Sequence, residues 1–154
     1  MPNLIIREAL VEDLDLIILF IRELAVYEKM EEQVVITPLQ LHEQLFEKKL
    51  SFCLMAFEDE NAVGFALYFF NFSTFLGKNG LYLEDLFVRP DFRGKGYGKA
   101  LLMHLKDIAI AENCGRMEWS VLDWNKPAID FYKQLGAVAM DEWTVFRMML
   151  GVGK

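Results

Sequence analysis

The chain has 154 residues, the length of one ordinary domain able to bury its own core. Apolar residues make up 54% and charged residues 25%, which excludes an intrinsically disordered chain. A formal net charge of −7 argues against a nucleic-acid partner, because phosphate binding draws on Lys and Arg; it suits a small cation as well as plain solubility.

Leu4 to Glu8 reads as a short strand, and Val11 to about Lys29 as a helix with Leu14, Ile17, Ile18, Ile21, Leu24 and Ala25 at helical spacing. Thr37 reads as an N-cap with Pro38 at the first helical position, opening a second helix to about Lys48. Ser51 to Phe57 and Ala62 to Phe72 read as a hairpin, and Leu81 to Val88 as a strand that is apolar except at Glu84 and Asp85. A helix is expected from Gly98 to about Asn113, a strand from Met117 to Leu122, and a helix capped by Asn125 that ends at Gly136. Ala137–Met140 and Trp143–Met149 read as closing strands. The pattern predicts a single domain over residues 1–154, of mixed α/β class, with a mostly antiparallel sheet and one central strand–loop–helix unit.

Cys53 and Cys114 sit in or beside apolar segments, with no metal-ligand spacing, so reduced thiols and no metal are expected. His42 and His104 read as solvated helix positions. The N-terminus lacks a secretory pattern and no stretch is long and apolar enough to span a bilayer; a cytoplasmic protein without membrane attachment is expected.

The most informative segment is Arg93-Gly94-Lys95-Gly96-Tyr97-Gly98-Lys99, between a strand and a helix. Alternate glycines let backbone amides face a ligand, and the following helix aims its free N–H groups at the same place. That is a diphosphate site, with Arg93, Lys95 and Lys99 adding charge. The third glycine comes one residue early for a dinucleotide fingerprint, and the spacing fails that of a P-loop, in which Ser or Thr rather than Ala100 would follow the lysine.

These residues resemble the pyrophosphate loop of the GNAT superfamily of N-acetyltransferases. Leu86-Phe87-Val88-Arg89-Pro90 before it and Asn125-Lys126-Pro127-Ala128-Ile129-Asp130-Phe131-Tyr132, then Leu135-Gly136-Ala137, are similar to further signatures of that family. The resemblance implies acetyl-CoA as co-substrate, its diphosphate on residues 93–99, its pantetheine arm along Leu86, Phe87 and Val88, Asn125 near the cofactor, and a homodimer through C-terminal strands. It also implies that Tyr132 is the acid that protonates the departing thiolate. By periodicity alone Tyr132 is a core tyrosine.

Glu84 and Asp85 interrupt an apolar strand, and an unpaired carboxylate is costly to bury. Strand neighbours face opposite sides, so the two are expected to differ in role: Glu84 as the base, through water, and Asp85 as ligand of a substrate ammonium. A backbone N–H near Phe87 would hold the oxyanion. Ala25 to Val34, Tyr82 to Val88, Trp124 to Pro127 and Trp143 to Arg147 are most similar to the diamine (spermidine/spermine) acetyltransferases. Glu28, Glu31 and Glu32 form a carboxylate cluster suited to the distal ammonium groups of an extended cation. The Asn71–Asn79 segment departs from a strict polyamine enzyme, so a lysine-like acceptor such as thialysine stands beside the polyamines. The alternatives are a protein-lysine or N-terminal acetyltransferase and a non-catalytic acyl-CoA module.

Overall fold

A computed structural model of the chain describes residues 3–151. They divide into two compact units, one ending at Ser120 and one beginning at Val121.

The first unit is built on a five-stranded sheet in the order β1-β2-β3-β4-β5: Leu4–Glu8, Phe52–Glu58, Asn61–Ser73, Lys78–Val88 and Arg116–Trp119. The first four strands pair antiparallel; β5 alone runs parallel to its neighbour β4. The mixed, mostly antiparallel sheet expected from the sequence is therefore present. Helix α1 (Leu14–Tyr27) follows a 3-10 turn at Val11–Asp13. That turn is fixed by Asp13, whose carboxylate accepts from the Leu10 N–H at 2.7 Å and from Arg7 at 2.7 and 3.2 Å. Helix α2 (Pro38–His42) opens with a capping box: Thr37 Oγ1 accepts from the Gln40 N–H, and the Gln40 side chain accepts from the Thr37 N–H. The turns after His42 widen to a π-helix over Glu43–Glu47 rather than continuing as α-helix. Replacing Thr37 by Ala should cost about 0.5–2 kcal/mol, read from urea unfolding; an unchanged midpoint would show that the box is idle.

The two faces of the sheet are covered differently. Ile17, Ile18 and Phe20 of α1, with Leu41 and Leu45, pack on Cys53, Met55, Phe65, Leu67 and Phe87. The rings of Phe65 and Phe87 lie 5.9 and 6.1 Å from that of Phe20. The opposite face meets α3 (Tyr97–Ala111), which packs against β1 to β4 through a stripe of Leu101, Leu102, Leu105 and Ala109. The parallel β4–α3–β5 unit is the central strand–loop–helix expected above.

The second unit holds α4 (Lys126–Gln134). Asn125 Oδ1 caps it by accepting from the Ala128 N–H at 3.4 Å, and Gly136, at φ +91°, closes it with N–H bonds back from Gly136 and Ala137 to the carbonyls of Lys133 and Tyr132. The two closing strands expected at Ala137–Met140 and Trp143–Met149 are not strands. A strand exists only where its backbone groups find a partner, and the described residues of this unit hold no strand to pair with. The apolar residues that suggested strands are left outside, with Trp143 at 75% and Phe146 at 91% exposure. The Asn71–Asn79 segment is also more ordered than a loop: β3 runs to Ser73 and β4 starts at Lys78, leaving a tight turn with Phe75 at its tip.

Candidate active site

The site begins with where β4 loses its parallel partner. β5 pairs only with Gly80 to Leu83, while β4 continues to Val88. From Glu84 onward the strand has β3 on one side only. In an antiparallel pair alternate backbone groups turn away from the partner. On Glu84–Val88 those groups, other than the Val88 carbonyl that Arg93 Nε meets, lie on an edge without a strand partner among the described residues, the kind an extended amide-bearing ligand can pair with.

At the same place β4 carries a bulge. Leu67 pairs with Asp85 and Tyr68 with Leu83, so Glu84 is an extra residue without an opposite number. The bulge breaks the alternation assumed from the sequence. Glu84 and Asp85 were expected to face opposite sides; both line one cavity of about 400 Å³. Its other walls are Ile21 of α1, residues 33–36, Leu41, Gln44, Ser51 and Leu67.

Glu84 is exposed and Asp85 half-buried. Burial, then the neighbouring charges of Glu84 and Glu28, pushes Asp85 up to about 7. Glu28, which caps the C-terminus of α1, is itself raised by burial. The structure thus brings Glu28 into the electrostatic surroundings of Asp85. Glu31 and Glu32 are exposed on the next 3-10 turn and do not line the cavity, although Gln33 beside them does.

The glycine loop lies at the end of β4. Gly94 and Gly96 have φ of +80° and +82°, the left-handed region, and a Cβ at either would meet no protein atom within 4 Å. Conformation, rather than crowding by the protein, accounts for these glycines. Gly96 is the N-cap of α3, no acidic residue lies in the first turn, and the first N–H to bond back along the chain is that of Ala100. The N–H groups of Tyr97, Gly98 and Lys99 precede it, at the positive end of the helix.

The three loop cations are used differently. Arg93 Nε donates to the Val88 carbonyl at 2.8 Å, and its guanidinium stands 4.9 Å from the Tyr27 ring centre. Lys95 Nζ donates to Glu58 Oε1 at 2.7 Å, and the Tyr97 hydroxyl donates to the same oxygen. Lys95, then Tyr97, holds the Glu58 carboxyl below the usual range, and that bond raises Tyr97 to about 12. Lys95 and Tyr97 therefore tie the loop to β2. Lys99 is exposed and has no ion pair among the described residues. Leu86 and Val88 are half-buried and Phe87 buried. In the second unit, Tyr132 is half-buried on α4 with its ring 5.5 Å from that of Phe131, and the buried Asn125 spends its side-chain oxygen on the helix cap.

Gln33, Gln44 and Ser51 were not singled out in the sequence. Gln44 Nε2 donates to Ser51 Oγ at 2.9 Å, which places amide and hydroxyl groups in the cavity wall. Only Gln33 carried a signal, as part of the Ala25–Val34 segment. Among the described residues no group of His, Cys, Asp and Glu is arranged to hold a metal, and no helix is long and apolar enough to cross a membrane.

An open strand edge leading into a glycine turn at a helix N-terminus, beside paired carboxylates, is the layout of an acyl-CoA-dependent transferase. Residues 18–137 match the Acetyltransferase (GNAT) family; the chain belongs to that family, whose members use acetyl-CoA, and is an N-acetyltransferase. It is 39% identical over 159 residues to the thialysine N-epsilon-acetyltransferase of Sus scrofa, covering 96% of this chain and 93% of that one. It is 34% identical over 153 residues to spermidine/spermine N(1)-acetyltransferase-like protein 1 of Homo sapiens, covering 92% of this chain and 22% of that one. Among solved structures, the integron cassette protein VCH_CASS6 from the mobile metagenome of V. cholerae superposes with a TM-score of 0.79 at 30% identity, covering 96% and 93% of the two chains.

Proposed function

We propose that this enzyme moves the acetyl group of acetyl-CoA onto the terminal amine of a small cation, a lysine-like amino acid or a polyamine, in one ternary complex. The observation that carries the reading is the bulge that puts Glu84 and Asp85 on one cavity wall. A primary ammonium entering there meets two carboxylates in contact range of each other's charge.

Asp85 receives the ammonium. Glu84, exposed to water, takes its proton through a water molecule. The free amine attacks the acetyl carbon, the C–N bond forms and the C–S bond breaks. A backbone N–H near Phe87 holds the oxyanion, and Tyr132 gives its proton to the departing sulfur. The open edge at Leu86, Phe87 and Val88 suits the pantetheine arm, and the N–H groups of Tyr97, Gly98 and Lys99 suit the diphosphate, with Lys99 the cation left to meet it. Gly96→Val should weaken coenzyme A affinity about tenfold or more, because a β-branched residue is strained at a left-handed φ. Titration calorimetry would read this, and unchanged affinity would move the diphosphate elsewhere.

Relatedness to the thialysine enzyme over nearly the whole chain favours a lysine-like acceptor. The polyamine reading has its own support: among the described residues no cationic side chain lines the cavity to meet an amino acid's α-carboxylate, and Glu31 and Glu32 extend the acidic ground beyond Glu28. Glu84→Gln should lower kcat about 10²-fold or more with little change in KM, the size expected for a general base. Initial rates with both substrates varied should give intersecting lines; parallel lines would mean an acetyl-enzyme and contradict direct transfer.

We take the two units as one functional domain, since the family match at residues 18–137 runs across Ser120. Both cysteines are free, in keeping with a cytoplasmic enzyme. The exposed apolar run Val145, Phe146, Met148, Met149, Leu150 suits a homodimer in which it gains a strand partner. Sedimentation should then show a dimer at micromolar concentration.

A further inference from the structure

We propose that a second cavity, on the α3 face of the sheet, is a binding site for a small organic ammonium cation. It measures about 300 Å³ and is lined by Glu8, Phe52, Tyr68, Phe70 and, from the end of α3, Ile108, Ala111 and Glu112. It is separate from the cavity at Glu84. Leu67 lines that one and Tyr68 this one, and neighbours on a strand face opposite sides.

The wall is aromatic for a structural reason. Phe52 pairs with Tyr68 across β2 and β3, and Phe70 is two residues further on the same face. The three rings form a continuous patch with centres 5.6, 5.7 and 5.9 Å apart. Aromatic faces are electron-rich and attract cations. Two carboxylates flank the patch. Glu8 stands opposite Leu54 at the end of β1, and Glu112 is the C-cap of α3. Neither has a cation within ion-pair distance among the described residues.

Two further observations point to a ligand. Tyr68 is only 4% exposed, lines the cavity, and its hydroxyl has no hydrogen-bond partner among the described residues. That oxygen is not sealed off, since no fully buried side-chain oxygen among the described residues lacks a partner; it opens to the cavity, where a ligand can bond it. Glu112 sits at the negative end of α3, whose last turn has no basic residue. A carboxylate there is repelled by the helix dipole, and a bound cation reverses that repulsion. Burial, then Glu8, Cys53 and Glu112, raises Tyr68 to about 12.

The test uses the full chain and choline, whose quaternary nitrogen has no N–H to acetylate. Calorimetry should show saturable choline binding at least about tenfold tighter than that of its neutral isostere 3,3-dimethylbutan-1-ol, the range expected for a cation on aromatic faces. Binding should persist in Asp85→Asn and fall at least about tenfold in the Glu8→Gln/Glu112→Gln double variant, whose changes are at exposed positions and should leave the melting curve in place. No saturable binding, equal affinity for the neutral isostere, or loss in Asp85→Asn with retention in the double variant would each overturn the site.

Discussion

Replacing Tyr132 by Phe is expected to lower kcat by roughly 10²–10⁴-fold, the usual contribution of a positioned general acid. The substitution keeps the ring, its 5.5 Å contact with Phe131, and the backbone carbonyl that closes the α4 C-terminus. Stability should therefore change by less than about 1 kcal/mol. A structural tyrosine would behave the other way, with a fall in melting temperature and little change in kcat. A second readout separates the two. If the hydroxyl serves the leaving sulfur, an acetyl donor whose thiol is more acidic should be much less sensitive to the change. Equal sensitivity for both donors would remove Tyr132 from the acid role.

Replacing Asp85 by Asn is expected to lower kcat/KM for a cationic acceptor by about 30-fold to several thousand-fold, the cost of removing one partner of a largely desolvated charge pair. The loss should fall mainly on KM. The pH dependence follows from burial and from Glu84 and Glu28, which raise Asp85 to about 7 in the acceptor-free protein. A carboxyl raised in the folded state holds its proton more tightly there than in the unfolded chain. Folding thus loses stability as pH climbs from about 4 to about 7, and the loss persists above that. Asn does not titrate. The variant should therefore gain on the parent protein by on the order of 2–4 kcal/mol at pH 8 relative to pH 4. Acceptor binding to the parent protein should strengthen as pH rises through about 7, and that limb should vanish in Asp85→Asn. A pH-independent stability difference would mean that Asp85 is ionised throughout.

What was legible in the sequence was local. Alternate glycines at 94, 96 and 98 between an apolar strand and an amphipathic helix identify a turn at a helix N-terminus, because turn and cap preferences act over a few residues. The capping box at Thr37 and the Asn125 cap are legible for the same reason. What could not be read depended on pairing between distant segments. The bulge at Glu84 is a register offset between β3 and β4, and strand alternation alone gives the wrong answer there. The link from Lys95 to Glu58 spans 37 positions, so a lysine that reads as a phosphate ligand gave no sign in the sequence that it also ties the loop to β2. The C-terminal apolar pattern is real, but a strand needs a partner and the described residues of this unit supply none. The α3-face cavity depends on Phe52 and Tyr68 meeting across two strands, with the end of α3 over them.

The measurement that bears most directly on the central claim is the initial rate of thiol release from acetyl-CoA with thialysine, lysine, ornithine, spermidine, spermine, putrescine and a histone-tail peptide. The product of each reaction would be identified by mass spectrometry. The account predicts turnover with a lysine-like amino acid or a polyamine, acetylated at a terminal amine, and much slower turnover of the peptide. Tight acetyl-CoA binding without turnover of any small amine, or preference for the peptide, would contradict it.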